Sequence, residues 1–109
     1  MTELPETISA YLGAHGRRDA VAVAAVLADD VVVVDDGHTY RGVEAVKDWV
    51  RSAAGEYTYT SRLMSVTREE DGRYDALHRL EGNFPGGVVD LHYRFTLRGG
   101  KVARLEIAA

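Results

Sequence analysis

Residues 31–42 read VVVVDDGHTYRG. Four β-branched residues run without a break into two carboxylates, a glycine, His38 and Tyr40. A short, unbroken apolar run of this kind reads as a strand buried on both faces. Alternation puts Val31, Val33 and Asp35 on one side and Val32, Val34 and Asp36 on the other, so only one of the two acids faces an interior. A carboxylate at the end of a buried strand loses water, which disfavours its charged form and raises its pKa. A proton-abstracting base at neutral pH needs that property. The same acids also suit an ordinary polar turn, where aspartate side chains bind nearby backbone N–H groups. His38 and Tyr40 alternate in the loop that follows, placed either to overhang a cavity mouth or simply to fill the turn.

Upstream, Ile8, Tyr11, Leu12 and His15 fall at the spacing of one helix face, with Pro5 suited to the first turn and Gly16 to a left-handed cap. Asp19 is placed to N-cap a second short helix, whose inner face is Ala20, Val23, Ala24 and Leu27 and which Asp29-Asp30 should stop. Downstream, Val43, Val46, Val50 and Ala53 repeat with helical spacing, Trp49 borders them, and Gly55 closes the helix. The pattern then changes to strands over 57–67, 74–84, 88–98 and 101–108. Asp71-Gly72, Pro85-Gly86-Gly87 and Gly99-Gly100 mark the turns between them. Helices gathered early and hairpins late imply an α+β domain with helices on one face of a curved antiparallel sheet.

Composition narrows the function. The 109 residues suffice for one domain with its own core. No cysteine is present, which excludes disulfides, thiolate nucleophiles and Cys-ligated metals. The net charge is −4 and no basic stripe occurs, which argues against nucleic acid. The first residues, MTELPETISAYLGAH, carry acids where a secretory signal would carry positive charge. No apolar stretch is long enough for a membrane span, so a cytoplasmic protein is expected. His38, His78 and His92 show no metal-ligand spacing, and the glycine pairs read as hairpin turns rather than a phosphate loop; no metal or cofactor is expected.

Three segments carry a family resemblance: RRDAVAVAAVLADDVVVV (17–34), YRGVEAVKDWV (40–50) and DLHYRFTLRGGKVARLEI (90–107). In this order and at this length the chain resembles the nuclear transport factor 2-like superfamily, in particular its SnoaL-like and ketosteroid-isomerase-like branches. The resemblance covers nearly all of 1–109. It implies a cone-shaped antiparallel sheet wrapped around three N-terminal helices, an apolar cavity, and dimerisation through the outer sheet face. It also implies site residues. Tyr11, eight residues before Asp19, matches that branch's oxyanion-donor tyrosine, and Asp35 matches its aspartate base. The protonated acid that should precede HYRF (92–95) is absent, because Leu91 stands there and counting back from the Gly-Lys turn gives His92. Steroid-type isomerisation is therefore not expected.

The HYRF match turns Leu91, Tyr93, Phe95 and Leu97 toward the helices and leaves Asp90, His92, Arg94 and Thr96 outside, with His78, Arg79 and Glu81 as cross-strand partners. A one-residue slip would invert this and place charges in the cavity at several kcal/mol each, so the first register is preferred. Two functions then compete. One is a module that binds a small hydrophobic or polyketide-like molecule. Trp49, Tyr93, Phe95 and His15 would contact that molecule, with His38 and Tyr40 at the rim. The other is a cofactor-free isomerase, cyclase or dehydratase with Asp35 as base and Tyr11 as oxyanion donor.

Overall fold

The four valines lie in the second half of β1 (Leu27–Asp35), and the computed structural model describes residues 4–52 and 58–109. Val31 and Val33 are wholly buried, whereas Val32 and Val34 keep partial exposure. The strand is thus covered on one face rather than two, because helices pack on one side of the sheet only. Beyond it, Asp36 (φ 50) and Gly37 (φ 76) both adopt left-handed conformations, the signature of a type I′ hairpin turn. His38 and Tyr40 accordingly lie on a short strand, β2 (His38–Arg41), paired antiparallel to β1, and not in a loop.

Ahead of β1, α1 (Glu6–Gly16) buries Ile8, Tyr11 and Ala14. The left-handed residue after it is Arg18 (φ 56), not Gly16. The Asp19 carboxylate accepts a hydrogen bond from the Ala22 N–H at 3.1 Å and caps α2 (Ala20–Ala25). This helix ends before Leu27, and Asp29-Asp30 are exposed strand residues rather than its stop signal. The Ala25 and Val26 carbonyls at its end accept from Lys101 Nζ (2.7 Å) and the Val102 N–H (2.8 Å), which ties the joint to the last strand. Helix α3 (Val43–Ser52) buries Val46, Trp49 and Val50. The expected positions Ala53 and Gly55 lie outside the described residues, as does Tyr57 at the start of the first late strand.

Strands β3 (Tyr59–Glu70), β4 (Arg73–Gly82), β5 (Val88–Arg98) and β6 (Lys101–Ala108) pair antiparallel in succession. The sheet order is β2-β1-β6-β5-β4-β3, and β1 lies parallel to β6. That one parallel pair joins the first strand to the last. Tyr93 sits between Ala76 and Ile107, and Phe95 between Tyr74 and Leu105, all on the helix side. Outside, His92 meets the Asp75 carboxylate at 2.9 Å and Arg94 meets Glu106 at 3.5 Å. The preferred register is therefore the observed one. His78 departs from its expected place: it lies on the inner face with Ala76 and Leu80 and is 6% exposed, while Arg79 faces out and pairs with Asp90. β3 forms an edge of the sheet, buries only Val66, and carries two pairing irregularities.

At the β3–β4 turn, Gly72 has φ 78, and a Cβ there would lie 2.8 Å from the Leu97 carbonyl oxygen. Gly37 has a similar φ of 76 but open space around it. Gly37→Ala should therefore cost only the left-handed penalty, about 1 kcal/mol, whereas Gly72→Ala should cost at least about 1 kcal/mol more because backbone must move. Urea unfolding of the two variants gives the comparison; equal losses would show that the Leu97 contact relaxes freely.

Candidate functional site

The concave side of the sheet is not filled solid. A hollow of about 530 Å³ lies between the ends of β1 and β6, α3 and β5, lined by Asp35, Trp49, His15, Tyr93, Leu91 and Ile107 among others. A second hollow of about 340 Å³ lies between α1 and β3–β4, lined by Leu12, Leu63 and His78. His15, Tyr59 and Tyr93 border both. The larger volume is within the range of small-molecule sites.

Asp35 reaches the first hollow because it continues the inward set Val31, Val33 and stands beside Ile107 on β6. Burial raises its carboxyl pKa. A hydrogen bond from the Trp49 indole, the ring's only donor, works against that rise; Asp36 adds to it and His38 opposes it. Asp36 is exposed at the turn, though it touches the hollow's rim.

The tyrosine matched to the oxyanion donor is placed differently from a ligand contact. Tyr11 has no exposed surface, and its hydroxyl lies 3.0 Å from His15 Nδ1. Burial holds its phenol well above the ordinary value, so it stays protonated. Burial also pushes His15 down to about 4, with His78 and Arg18 acting in the same direction, so the ring is neutral at pH 7. His15 packs between Trp49 (ring centroids 5.2 Å apart) and Tyr93 (6.2 Å, perpendicular). Phe95 is 1% exposed and meets Tyr11 edge-on at 5.5 Å, so it belongs to the core beneath the site. Tyr40 lines neither hollow but stacks on Trp49 at 5.4 Å and braces that ring, and His38 is exposed opposite Asp35 on β2.

Among the lining residues that the sequence reading missed are His78 and Tyr59. His78 donates from Nδ1 to the Ala76 carbonyl at 3.2 Å, its ring lies tilted against Tyr93 with centroids 4.7 Å apart, and burial lowers its pKa. Its alternation with Ala76 and Leu80 was the available signal. Tyr59 opens β3 between the hollows. Among the described residues no cluster of three His, Asp or Glu side chains could hold a metal, and no helix is long and apolar enough to cross a membrane.

The model of the SnoaL-like domain family matches residues 8–105. The chain belongs to that family. A candidate polyketide cyclase from Sinorhizobium meliloti is 32% identical to this SnoaL-like protein, with 96% of this chain and 95% of that one covered and a TM-score of 0.88. A protein of ketosteroid isomerase-like fold from Catenulispora acidiphila, solved with trimethylamine, is 18% identical over 98% of this chain and 87% of that one, TM-score 0.84. A candidate polyketide cyclase from Pseudomonas putida is 21% identical over 100% and 92%, TM-score 0.81. At those lower identities the likeness is one of fold. No curated protein matches the sequence significantly. The α+β roll of this SnoaL-like protein is thus the ketosteroid isomerase-like fold, as the resemblance implied.

The His15 environment makes folding pH-dependent. A folded pKa of about 4 lies below the unfolded value near 6.5, so its contribution is complete above pH 6.5 and lost as pH falls toward 4. The loss is about 3 kcal/mol over that interval, and His78 adds to it with the same sign. Urea titrations at pH 7.5 and 4.5 should show His15→Gln losing distinctly less stability on acidification than the parent.

Proposed function

We propose that this SnoaL-like protein binds a small, largely apolar carbonyl compound in the Asp35 hollow and moves a proton on the carbon beside the carbonyl. The observation that carries the reading is Asp35 itself: a half-buried carboxylate with a raised pKa, held by the Trp49 indole and facing an otherwise mostly apolar wall. Desolvation makes such a carboxylate more basic. In the step, Asp35 takes the proton, the C–H electron pair becomes the new C=C bond, and the carbonyl oxygen takes up the negative charge. Return of the proton to another carbon is an isomerisation; attack of the enolate carbon on a second carbonyl of the same molecule is an aldol cyclisation. No cofactor is required for either. The 32% identical relative described as a candidate polyketide cyclase favours the cyclisation class. Leu91, which lines the hollow where the steroid isomerases carry a second acid, speaks against their substrate class.

Exchange of the α-hydrogens of an apolar ketone such as 2-tetralone in D₂O, followed by NMR, reads the first step directly. The parent should accelerate exchange, with a rate that rises with pH through the Asp35 pKa and then levels. Asp35→Asn should lose about 10²–10⁴-fold. Because the folded-state pKa is raised, the stability linked to Asp35 is present at low pH and lost as pH rises through it, so Asp35→Asn should melt no lower than the parent at pH 7.5. Exchange no faster with the parent than with the variant across a panel of apolar ketones would leave a binding role alone.

We also propose pairing of two copies through the outer face of β4–β6, where Asp75, His92, Arg94 and Glu106 form a continuous charged ladder. Light scattering at the monomer mass at all concentrations would dismiss it.

A further inference from the structure

We infer that His15 is the group that touches the ligand's oxyanion in this hollow, and that Tyr11 is the positioning residue that fixes its ring in the Nε2–H form. The inference rests on the reading above in one respect only, that a carbonyl compound occupies the Asp35 hollow.

An oxyanion donor must touch its ligand, and Tyr11 has 0% exposure. Its hydroxyl has one hydrogen-bond partner among the described residues, His15 Nδ1 at 3.0 Å. A buried hydroxyl that only accepted there would leave its own proton unpaired, at a cost of about 1–3 kcal/mol. The Tyr11 O–H therefore donates to Nδ1, and the proton of the neutral ring is carried by Nε2. Among the described residues Nε2–H has no acceptor, and no buried side-chain nitrogen or oxygen is left without a partner. Nε2 is accordingly not sealed in the core. His15 borders both hollows, and Asp35 lines the larger of them from β1; the proposed contact needs Nε2–H to face that one.

The donor is also held still. Trp49 and Tyr93 flank the ring at 5.2 and 6.2 Å, and the Tyr11 bond removes the freedom to flip. Such pre-aimed donors are the effective ones for charge that develops during a reaction. The titratable groups around the ring are Tyr11 from α1, Arg18 just after that helix, His78 from β4 and Tyr93 from β5; burial, His78 and the Arg18 guanidinium disfavour an imidazolium, and the two phenols are neutral. A neutral donor matters here, because an imidazolium would pair with the Asp35 carboxylate and quench the base, whereas a neutral imidazole polarises a carbonyl and leaves that base free. The ligand class that follows is an apolar ring system bearing an enolate or phenolate oxygen.

The test uses 4-nitrophenolate as a coloured oxyanion and 4-nitrotoluene as a neutral control of similar size, with affinities measured at pH 8. Asp35→Asn should bind the phenolate at least as tightly as the parent, since a like charge is removed. Adding Tyr11→Phe to it should weaken phenolate binding by about tenfold, and Tyr11→Phe with His15→Leu by roughly ten- to a hundredfold, with nitrotoluene affinity unchanged in all. In the unsubstituted protein, ¹⁵N NMR should find the His15 proton on Nε2 and a bare Nδ1 from pH 6 to 9, and Tyr11→Phe should give mixed tautomers. A proton on Nδ1 in the parent, or phenolate affinity indifferent to His15→Leu, would overturn the inference. Neither readout requires turnover, so absent ketone exchange would remove the base role of Asp35 while these results still judged His15.

Discussion

Strand β1 hydrogen-bonds along β6 in parallel, setting Val33 beside Leu105 and Asp35 beside Ile107. This pairing brings the first strand, formed within the first third of the chain, against the last, and the ends of α2 are sewn into the same seam through Lys101 and Val102. Because strand side chains alternate, the register of that seam decides which acid faces the helices. A slip of one residue would put Asp36 and Val34 inside and turn Asp35 to solvent. The hollow, the carboxylate that faces it and the lining around it all inherit their positions from this one parallel junction.

Around that junction the protein keeps its ionisable groups in distinct states by the same means. Desolvation raises the Asp35 carboxyl and holds Tyr11 protonated, while it lowers His15 and His78 to neutrality. The outer face does the reverse: Asp90 is lowered because Arg79 pairs with it in water. One sheet thus carries a low-dielectric face where charge is scarce and a wet face where it is abundant, separated by a single layer of backbone. Groups whose ionisation is most perturbed by burial gather on the first.

Much of this was legible because alternation and helical spacing are direct physical consequences of backbone geometry. The inward set Val31, Val33, Asp35 and the stripe Ile8, Tyr11, Leu12, His15 needed only those periods. Asp36-Gly37 was legible too, as a two-residue hairpin turn, and its reading as a loose polar turn hid β2. His78 was obscured by its neighbours: Arg79 and Glu81 are polar, and grouping the three together overrode the alternation that pairs His78 with Ala76. The parallel β1–β6 contact leaves no local trace, since it joins residues some seventy positions apart. Tyr11 and His15 were visibly one helical turn apart, yet the burial that closes the tyrosine off and leaves its hydroxyl against the histidine is a property of the assembled core.

Strand β3 shows how an open edge of the sheet is guarded. It is a long border strand whose outward amides and carbonyls offer a template to any other extended chain. The irregularities near Leu63–Ser65 and Arg68–Glu70 break that template into short pieces, and Arg62, Arg68, Glu69 and Glu70 place charge along it. The strand that lines the second hollow is thereby made a poor seed for fibril growth.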